Sequence, residues 1–254
     1  MNKYVGIIIK EGSYLISQAP LIYHNYLHRN KISSEKRYED LRKIIIKFSR
    51  IMGMEIILTG LKTFPCEQSF MLTPNHQSFM DALNMIEILD QKSTFVAKKE
   101  AKKYVLIGKA ITSIDCEYLD RDNLRQGLEV INQASEYINE NQCSIGVYPE
   151  GTRNTTNETL LPFKPGALKA YKTKAPIVAL VCLNTELVSK NWPYKKTDIY
   201  IKVCKTFYYE EYKNYSTNDL AIILNSLMKD ELENMKKVKY EKEIIAWYIF
   251  YLTH

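Results

Sequence analysis

Short apolar segments alternate with longer amphipathic segments from about residue 54 to residue 237, and this alternation restricts the fold most. Apolar runs of about four to eight residues bounded by turn residues are typical of strands, and longer segments with helical periodicity are typical of helices. Such alternation predicts an α/β fold, with a mixed, mostly parallel sheet flanked by helices. The predicted strands are 55–59, 69–73, 93–97, 113–119, 143–148, 177–182 and 198–205, and the predicted helices are 78–89, 99–110, 121–140, 166–173 and 217–237.

The N-terminal quarter of the chain carries its excess positive charge. The chain has 35 Lys and Arg against 29 Asp and Glu, a net charge of +6; 11 of the basic and 5 of the acidic residues precede residue 66, and the remaining 24 of each sign cancel. Apolar and basic residues there follow a helical period, which predicts an N-terminal basic amphipathic helical pair. The apolar positions are Tyr38, Leu41, Ile44, Ile45, Phe48, Ile51 and Met52, and the basic ones are Arg37, Lys43, Lys47 and Arg50.

Two placements of this N-terminal segment fit the pattern, and both can hold. Its apolar face can lie in the interface of an anionic membrane, or it can pack on the body of the protein. The longest uncharged stretch, 12–28, contains Gly, Pro, Asn, Gln and His, so it is a poor membrane span and does not resemble a secretory signal. We predict a membrane-interface segment, 1–53, and an α/β domain, 54–254. The apolar tail, 244–252, closes the core or adds another interfacial patch.

The cysteines and histidines argue against two classes of site. The five cysteines, at positions 66, 116, 143, 182 and 204, are odd in number and show no CxxC spacing. This favours a reducing compartment and argues against a disulfide framework or a zinc site. His24 and His28 could share a helix face, but no acidic partner motif follows them. We therefore predict no metal site.

His76 and Asp81 form a candidate catalytic pair. Positions five apart lie about 140° apart around a continuous helix, so these side chains can meet only if a helix begins between them. Residues 73–75 favour a turn and Ser78 is a good N-cap, which places Asp81 in the first helical turn. Asp81 could then bind one imidazole nitrogen and leave the other free to take a proton. Alternatively, Ser78 and Asp81 form a capping box, and Asp81 only satisfies backbone N–H groups.

A second polar cluster, the turn 149–153, follows the strand predicted at 143–148. Ligands of α/β sheets bind at the carboxyl ends of strands. The turn places Glu150, Thr152 and Arg153 at such an end, and a planar guanidinium suits a phosphate. The alternative is a polar loop closed by an ion pair between Glu150 and Arg153.

Other charged residues also follow predicted strands or turns. Lys98 lies where a strand gives way to a helix, which is a common anion site, and Lys164 lies in the turn before the helix predicted at 166–173. Asp120 and Arg121 end another strand. The structural interpretation is a surface lysine for Lys98 and a helix cap for Asp120.

The order of these clusters resembles the glycerolipid acyltransferase family, and within it the bacterial 1-acylglycerol-3-phosphate O-acyltransferases, over about residues 55–205. Asn75-His76 with Ser78 and Asp81 matches the first family motif, the turn 149–153 matches the third, and Phe163-Lys164 with Gly166 matches the segment after it. Two motifs depart from the pattern. The second has Asp115 where the family usually has Gly, and the fourth, 175–180, keeps only the first of two flanking prolines. These departures bear on acceptor preference more than on reaction type.

The resemblance implies an enzyme that transfers a fatty acyl group from a thioester to the free hydroxyl of lysophosphatidate, which makes phosphatidic acid for phospholipid synthesis. It implies that His76 is the general base, that Asp81 orients it, and that no acyl-enzyme forms. The donor would be a thioester of acyl carrier protein or coenzyme A, with no metal or bound cofactor. The implied phosphate and glycerol site consists of Lys98, Arg121, Glu150, Gly151, Thr152 and Arg153, supported by Asn75, Ser78 and Lys164.

The implied location is the cytoplasmic face of a bacterial cell membrane, as a peripheral or monotopic protein that does not bind nucleic acid. Three alternatives remain at this point. The acceptor could be glycerol 3-phosphate or another lysophospholipid. A hydrolase or thiol acyl-enzyme could use one of the cysteines, although no G-x-S-x-G motif is present. A non-catalytic lipid- or nucleic-acid-binding protein could rely on the basic segment.

Overall fold

The computed structural model describes the chain except for residues 1–2, 62–63, 66–67, 121–123, 141, 155, 157–158, 193–194 and 254. For 3–11, 124–128, 131, 170–172 and 240–253 it describes the backbone only. The strands are β1 Met54–Thr59, β2 Met71–Pro74, β3 Ser93–Lys98, β4 Glu117–Leu119, β5 Ser144–Gly146, β6 Ile177–Leu183 and β7 Thr197–Phe207. The α-helices are α1 Lys3–Leu27, α2 Ser34–Ile51, α3 Met80–Ile88, α4 Val105–Ser113, α5 Leu124–Asn139, α6 Leu187–Asn191, α7 Tyr209–Tyr212 and α8 Thr217–Thr253. Two segments, Lys99–Lys103 and Pro165–Thr173, are 3₁₀ helices among the described residues.

The strands form one sheet in the order β1-β7-β6-β2-β5-β3-β4. Neighbouring strands are parallel except for β6 and β7, which are antiparallel. The carboxyl ends of β6, β2, β5, β3 and β4 therefore meet at one edge of the sheet. The predicted mixed, mostly parallel α/β sheet is confirmed.

Strand β6 shows why this sequence forms a two-sided core. Every residue of the strand is buried, because helices cover both faces of the sheet. Successive side chains of a strand point to opposite faces. Ile177, Ala179 and Val181 accordingly pack in the cluster that includes α5 and α8. Val178 and Leu180 pack in the opposite cluster, with α2, α3 and α4.

Helix α2 uses its apolar face to pack on the sheet. Tyr38, Leu41 and Ile45 are buried in the same cluster as Leu180. The Tyr38 hydroxyl lies 2.8 Å from Ser93 Oγ and donates to a carbonyl at the end of α3. Of the two placements predicted for the N-terminal segment, packing on the body is therefore present for α2.

The prediction that Arg37 lies away from the apolar face of α2 is wrong. Its side chain is buried, and its guanidinium donates to both carboxylate oxygens of Asp115, each at 3.0 Å. Asp115 itself has a φ of +57°, the left-handed conformation that glycine adopts most readily. The residue that replaces the usual glycine of the second motif thus keeps a glycine-like backbone and gains a buried ionic partner 78 positions away.

Helix α1 packs on α2 and α4 through Tyr14 and Ile22. Its side chains Ile16 and Leu27 remain 73% and 68% exposed. Within the described residues, no helix is both long enough and apolar enough to cross a bilayer.

Some predicted boundaries were wrong. The final helix continues to Thr253 instead of ending near residue 237, so the apolar tail 244–252 is part of α8. The helix predicted at 99–110 is a 3₁₀ helix followed by α4, which extends to Ser113 into the predicted strand. The division into units at residue 53 remains a prediction.

Candidate active site

The predicted clusters come together at the carboxyl edge of the parallel strands. His76 follows β2, Glu150 follows β5, Thr185 follows β6, and Lys98 ends β3. Strand β2 lies between β5 and β6, so the loop that carries His76 lies between the other two loops. The sheet topology therefore creates the candidate site.

Asn75 holds the beginning of the His76 loop against β6. Its side-chain amide donates to the Cys182 carbonyl at 3.0 Å and accepts from the Cys182 N–H at 2.6 Å. Asn75 is 1% exposed, so it supports the loop from below. It extends the pairing of β2 and β6 beyond Pro74, which cannot donate a backbone hydrogen bond.

His76 and Asp81 form a hydrogen-bonded dyad. His76 Nδ1 lies 2.8 Å from Asp81 Oδ2. The Asp81 side chain is fully buried, whereas 18% of the His76 side chain is exposed. A carboxylate acceptor fixes the proton on Nδ1, so Nε2 carries the lone pair that can accept a proton. This is the arrangement of a general base held in one tautomer.

A single oxygen, Asp81 Oδ2, binds both the His76 imidazole and the backbone before α3. Asp81 Oδ2 also accepts hydrogen bonds from the backbone N–H groups of Gln77 and Ser78, at 2.7 and 2.8 Å. Ser78 Oγ accepts from the first N–H of α3 at 3.0 Å and donates to the Thr185 carbonyl at 3.1 Å. Asp81 falls in the first turn of α3 as predicted, but the helix begins at Met80 with Phe79 as its N-cap, one residue after the predicted N-cap Ser78.

The buried Glu150 carboxylate binds the backbone of the His76 loop. Its two carboxylate oxygens accept from the backbone N–H groups of His76 and Leu161, at 2.7 and 2.9 Å. The residue is 2% exposed, and burial raises the pKa of its carboxyl while the two backbone hydrogen bonds oppose that rise. Direct contact with the acceptor was expected of Glu150. In this geometry it instead fixes the main chain of His76 to the turn 149–153.

Gly151 allows a lysine to approach this turn closely. Its φ is +67°, and a Cβ atom at Gly151 would lie 2.9 to 3.1 Å from three side-chain atoms of Lys164. The Lys164 N–H donates to the Pro149 carbonyl at 2.8 Å, which ties the two loops together. Thr152, Arg153 and Lys164 are exposed. Two cations therefore lie on the open side of the turn, where an anion can reach them.

Of the other predicted phosphate-site residues, the structure describes Lys98 but not Arg121. Lys98 is half-exposed at the end of β3, and its Nζ lies 3.4 Å from Glu100 Oε2. Lys99 pairs with Asp120 at 2.6 Å. Arg121 lies outside the described residues, so its place in the site remains a prediction.

Two residues of the site were missed at the sequence level. The Tyr148 ring stacks on the His76 imidazole, with ring centroids 4.2 Å apart. The Asn154 N–H donates to the His76 carbonyl at 2.7 Å. Tyr148 ends the segment predicted as a strand at 143–148, and the parallel pairing of β2 with β5 is the signal that places it beside His76.

The four cysteines that the structure describes are not arranged for nucleophilic catalysis. Cys116, Cys143 and Cys182 are buried, and Cys204 is partly buried. Burial raises the pKa of Cys116 and Cys204 to about 12 and that of Cys143 to about 11, which suppresses the thiolate. Cys66 lies outside the described residues. In the part of the chain that the structure describes, no group of three His, Cys, Asp or Glu side chains could hold a metal ion.

The fold and the site define a family. Residues 55–183, half of the chain, match the family model described as Acyltransferase. The chain belongs to the acyltransferase family. The matched segment includes the dyad, the turn 149–153 and the strands that position them.

Named proteins of this family are similar to the chain. It is 28% identical over 198 residues to the 1-acyl-sn-glycerol-3-phosphate acyltransferase of Saccharomyces cerevisiae, covering 76% of this chain and 64% of that protein. It is 29% identical over 220 residues to the probable 1-acyl-sn-glycerol-3-phosphate acyltransferase of Mycoplasma genitalium, covering 80% of each. The chain spans between half and two thirds of the length of the first curated relatives. The crystal structure of the 1-acyl-sn-glycerophosphate acyltransferase PlsC of Thermotoga maritima has the same fold, with a TM-score of 0.71, 19% identity and coverage of 90% of this chain and 95% of that chain.

Proposed function

We propose that this protein transfers a fatty acyl group from a thioester to the free hydroxyl of 1-acylglycerol 3-phosphate, which yields phosphatidic acid. The observation that carries the proposal is the His76–Asp81 dyad beside a turn that exposes Arg153 and Lys164. A base with one free nitrogen suits an alcohol acceptor, and the adjacent cations suit its phosphate. The names of the relatives point to the same acceptor.

In the proposed reaction, His76 Nε2 takes the proton of the acceptor hydroxyl as its oxygen attacks the thioester carbonyl. The carbon–oxygen bond forms, the carbon–sulfur bond breaks, and the proton passes from the imidazolium to the departing thiolate. Asp81 stabilises the imidazolium, as the aspartate of a serine triad does, but no protein nucleophile takes part. The donor is a thioester of coenzyme A or acyl carrier protein, and it is consumed.

Arg153 is proposed to bind the acceptor phosphate, with Lys164 beside it. Replacing Arg153 with alanine is expected to raise the KM for lysophosphatidate about tenfold or more and to change kcat less, because charge-assisted hydrogen bonds to the phosphate are lost. Steady-state kinetics at varied acceptor concentration measure this. Lys213→Ala, directly after α7, removes another exposed cation and serves as the control. An unchanged acceptor KM in Arg153→Ala would remove this residue from the phosphate site.

A panel of acceptors tests the proposed substrate. The purified protein is given one acyl thioester and, in competition, lysophosphatidate, glycerol 3-phosphate and a lysophospholipid with a substituted phosphate. Lysophosphatidate is expected to have the highest kcat/KM. Preferential acylation of another acceptor would support acyl transfer as the reaction but would rule out lysophosphatidate as the preferred acceptor.

A thiol acyl-enzyme is the competing mechanism. The burial and raised pKa values of the described cysteines disfavour it. Rapid denaturation after mixing with a radiolabelled acyl thioester tests it, because a thiol intermediate would leave label on the protein. We expect no such label, and a labelled protein would exclude direct transfer.

We propose that the protein works on the cytoplasmic face of a membrane, with α1 in the anionic interface. Ile16 and Leu27 expose large apolar side chains, and so do Tyr104 and Val105 at the start of α4, which packs on α1. The Lys109 ammonium lies 4.0 Å from the Tyr26 ring centroid, so basic and apolar groups interleave on this surface. Such a surface is typical of interfacial binding.

Point substitutions test this proposal better than removal of the N-terminal segment, because deletion would take Tyr38 and Ile45 out of the core. The double variant Ile16→Glu and Leu27→Glu is expected to lose most binding to phosphatidylglycerol vesicles in co-sedimentation, since it adds negative charge and removes apolar contact. Ile222→Glu on α8, at a residue with 68% exposure, is the matched control. Equal sedimentation of the double variant and the control would contradict the role of α1.

A further inference from the structure

The Tyr148 ring lies against the imidazole of the dyad. The centroids of the Tyr148 and His76 rings are 4.2 Å apart and their planes differ by 28°. Phe95 lies against Tyr148 in turn, with centroids 6.5 Å apart and planes that differ by 21°. A Cβ at Gly146 would lie 2.3 Å from the Phe95 ring, so glycine at this position makes room for that ring. Tyr148 is therefore held in a fixed orientation on one face of His76.

Three polar groups near this contact are buried and have no hydrogen-bond partner among the described residues. They are the Tyr148 hydroxyl, Asp81 Oδ1 and the side-chain amide of Asn84. Asn84 lies three positions after Asp81, so both project from the same face of α3, and both are fully buried. Buried polar groups are nearly always paired, with protein atoms or with ordered water. The Tyr148 hydroxyl and the Asn84 amide nitrogen can donate, and Asp81 Oδ1 and the Asn84 amide oxygen can accept, so these groups are complementary.

Burial and the neighbouring charge of Asp81 keep the Tyr148 hydroxyl protonated, so that it can donate a hydrogen bond. Burial raises the pKa of Tyr148 well above its usual value, and the neighbouring charge of Asp81 raises it further. The other titratable groups that bear on the dyad are Glu150 beneath His76, and the thiols Cys182 on β6 and Cys116 before β4. Burial raises the pKa of each. Tyr148 is thus a protonated phenol close to a carboxylate oxygen that lacks a partner.

We propose that Tyr148 is a positioning residue of the dyad: its ring holds the imidazole plane, and its hydroxyl, together with the Asn84 amide, binds Asp81 Oδ1 through one buried water. The ring stabilises the imidazolium that forms when His76 accepts a proton. The hydroxyl withdraws negative charge from Asp81, which lowers the basicity of the dyad. The two parts of Tyr148 therefore act in opposite directions on the proton affinity of His76, and two substitutions can separate them.

Titration of the histidine ring protons by NMR tests this in the full-length protein without substrate. The chain has four histidines, so His76 can be assigned with the His76→Ala variant. Tyr148→Phe is expected to raise the titration midpoint of His76 by about half a pH unit, because it removes the donor but keeps the ring. The His76 titration midpoint in Tyr148→Leu is expected to lie about half a pH unit below that in Tyr148→Phe, because the leucine variant also lacks the ring.

The same variants give a kinetic result that rests on the proposed function. Tyr148→Phe is expected to move the acid limb of the kcat/KM profile to higher pH, and so to lower kcat about threefold on that limb with an unchanged acceptor KM. Tyr212→Phe removes a hydroxyl that donates to the Ala175 carbonyl outside the site, and it is expected to change neither the midpoint nor the profile.

Equal His76 midpoints in the wild type and Tyr148→Phe would overturn the role of the hydroxyl, and equal midpoints in the Phe and Leu variants would overturn the role of the ring. Because Tyr148→Phe keeps the ring, circular dichroism is expected to show an unchanged fold. If the wild type fails to transfer an acyl group to any acceptor, the proposed function fails while the NMR comparison still decides the inference.

Discussion

The His76→Ala protein is expected to lose acyl transfer by a factor of about 10⁴ or more, as triad enzymes do when the base is removed. The acceptor hydroxyl has a pKa far above neutral, so attack requires simultaneous proton removal, and His76 Nε2 is the base that the dyad presents. The rate of phosphatidate formation at saturating substrates measures this loss.

The fold is expected to survive this substitution. The Asp81 hydrogen bonds to the Gln77 and Ser78 N–H groups do not involve the imidazole, and Glu150 binds the backbone of His76 rather than its side chain. Thermal unfolding should confirm a folded protein, and His28→Ala, directly after α1, is the matched control for loss of a histidine. Substantial turnover by folded His76→Ala would rule out general-base catalysis by this residue.

Replacing Asp81 with asparagine is expected to lower kcat by about 10²-fold or more while the protein stays folded. Three donors converge on the Oδ2 position, so the amide oxygen of an asparagine will occupy it and keep the cap. The loss of kcat in Asp81→Asn then measures how much the negative charge of Asp81 stabilises the imidazolium. Steady-state kcat and the unfolding midpoint, measured together, test this expectation.

Asp81→Ala separates the two roles of this residue. It leaves the N–H groups of Gln77 and Ser78 without their acceptor in a buried loop, at a cost of about 1–3 kcal/mol for each group. We expect the alanine variant to unfold at a lower temperature than the asparagine variant. Equal activity of wild type and Asp81→Asn would mean that Asp81 serves only as a cap.

The sheet was predictable because one of its interior strands, β6, is apolar along its whole length. A continuous apolar run such as 177–182 can be buried only if both faces of the strand are covered, and β6 is buried along its whole length. Local turn chemistry likewise located the start of α3 between His76 and Asp81.

Contacts between distant residues were beyond sequence reasoning. Around α2, Arg37 lies within about 20° of Ile44 and Phe48, so the helical period itself points to the buried face, but it contains no information about Asp115 as the partner across the interface. Glu150 was assigned to the acceptor for a similar reason. Its motif indicates that it matters, but only the fold reveals that its oxygens bind the backbone of His76 and Leu161.

Tyr148 illustrates the same limit within the site. Strand β5 ends at Gly146 and pairs in parallel with β2. This register places Tyr148, two residues after β5, against the His76 loop that follows β2. Periodicity identifies an apolar segment at 143–148 but does not specify which neighbour each side chain meets. Stacking on His76 therefore emerged only from the structure.

The most direct test of the account is the stoichiometry of thiol release and phosphatidate formation by the purified full-length protein. Lysophosphatidate and an acyl thioester are mixed with the wild type and, in parallel, with His76→Ala. The account predicts one phosphatidate for each thiol released by the wild type, and neither product above background from the variant. Thiol release without phosphatidate, or equal product from both proteins, would contradict it.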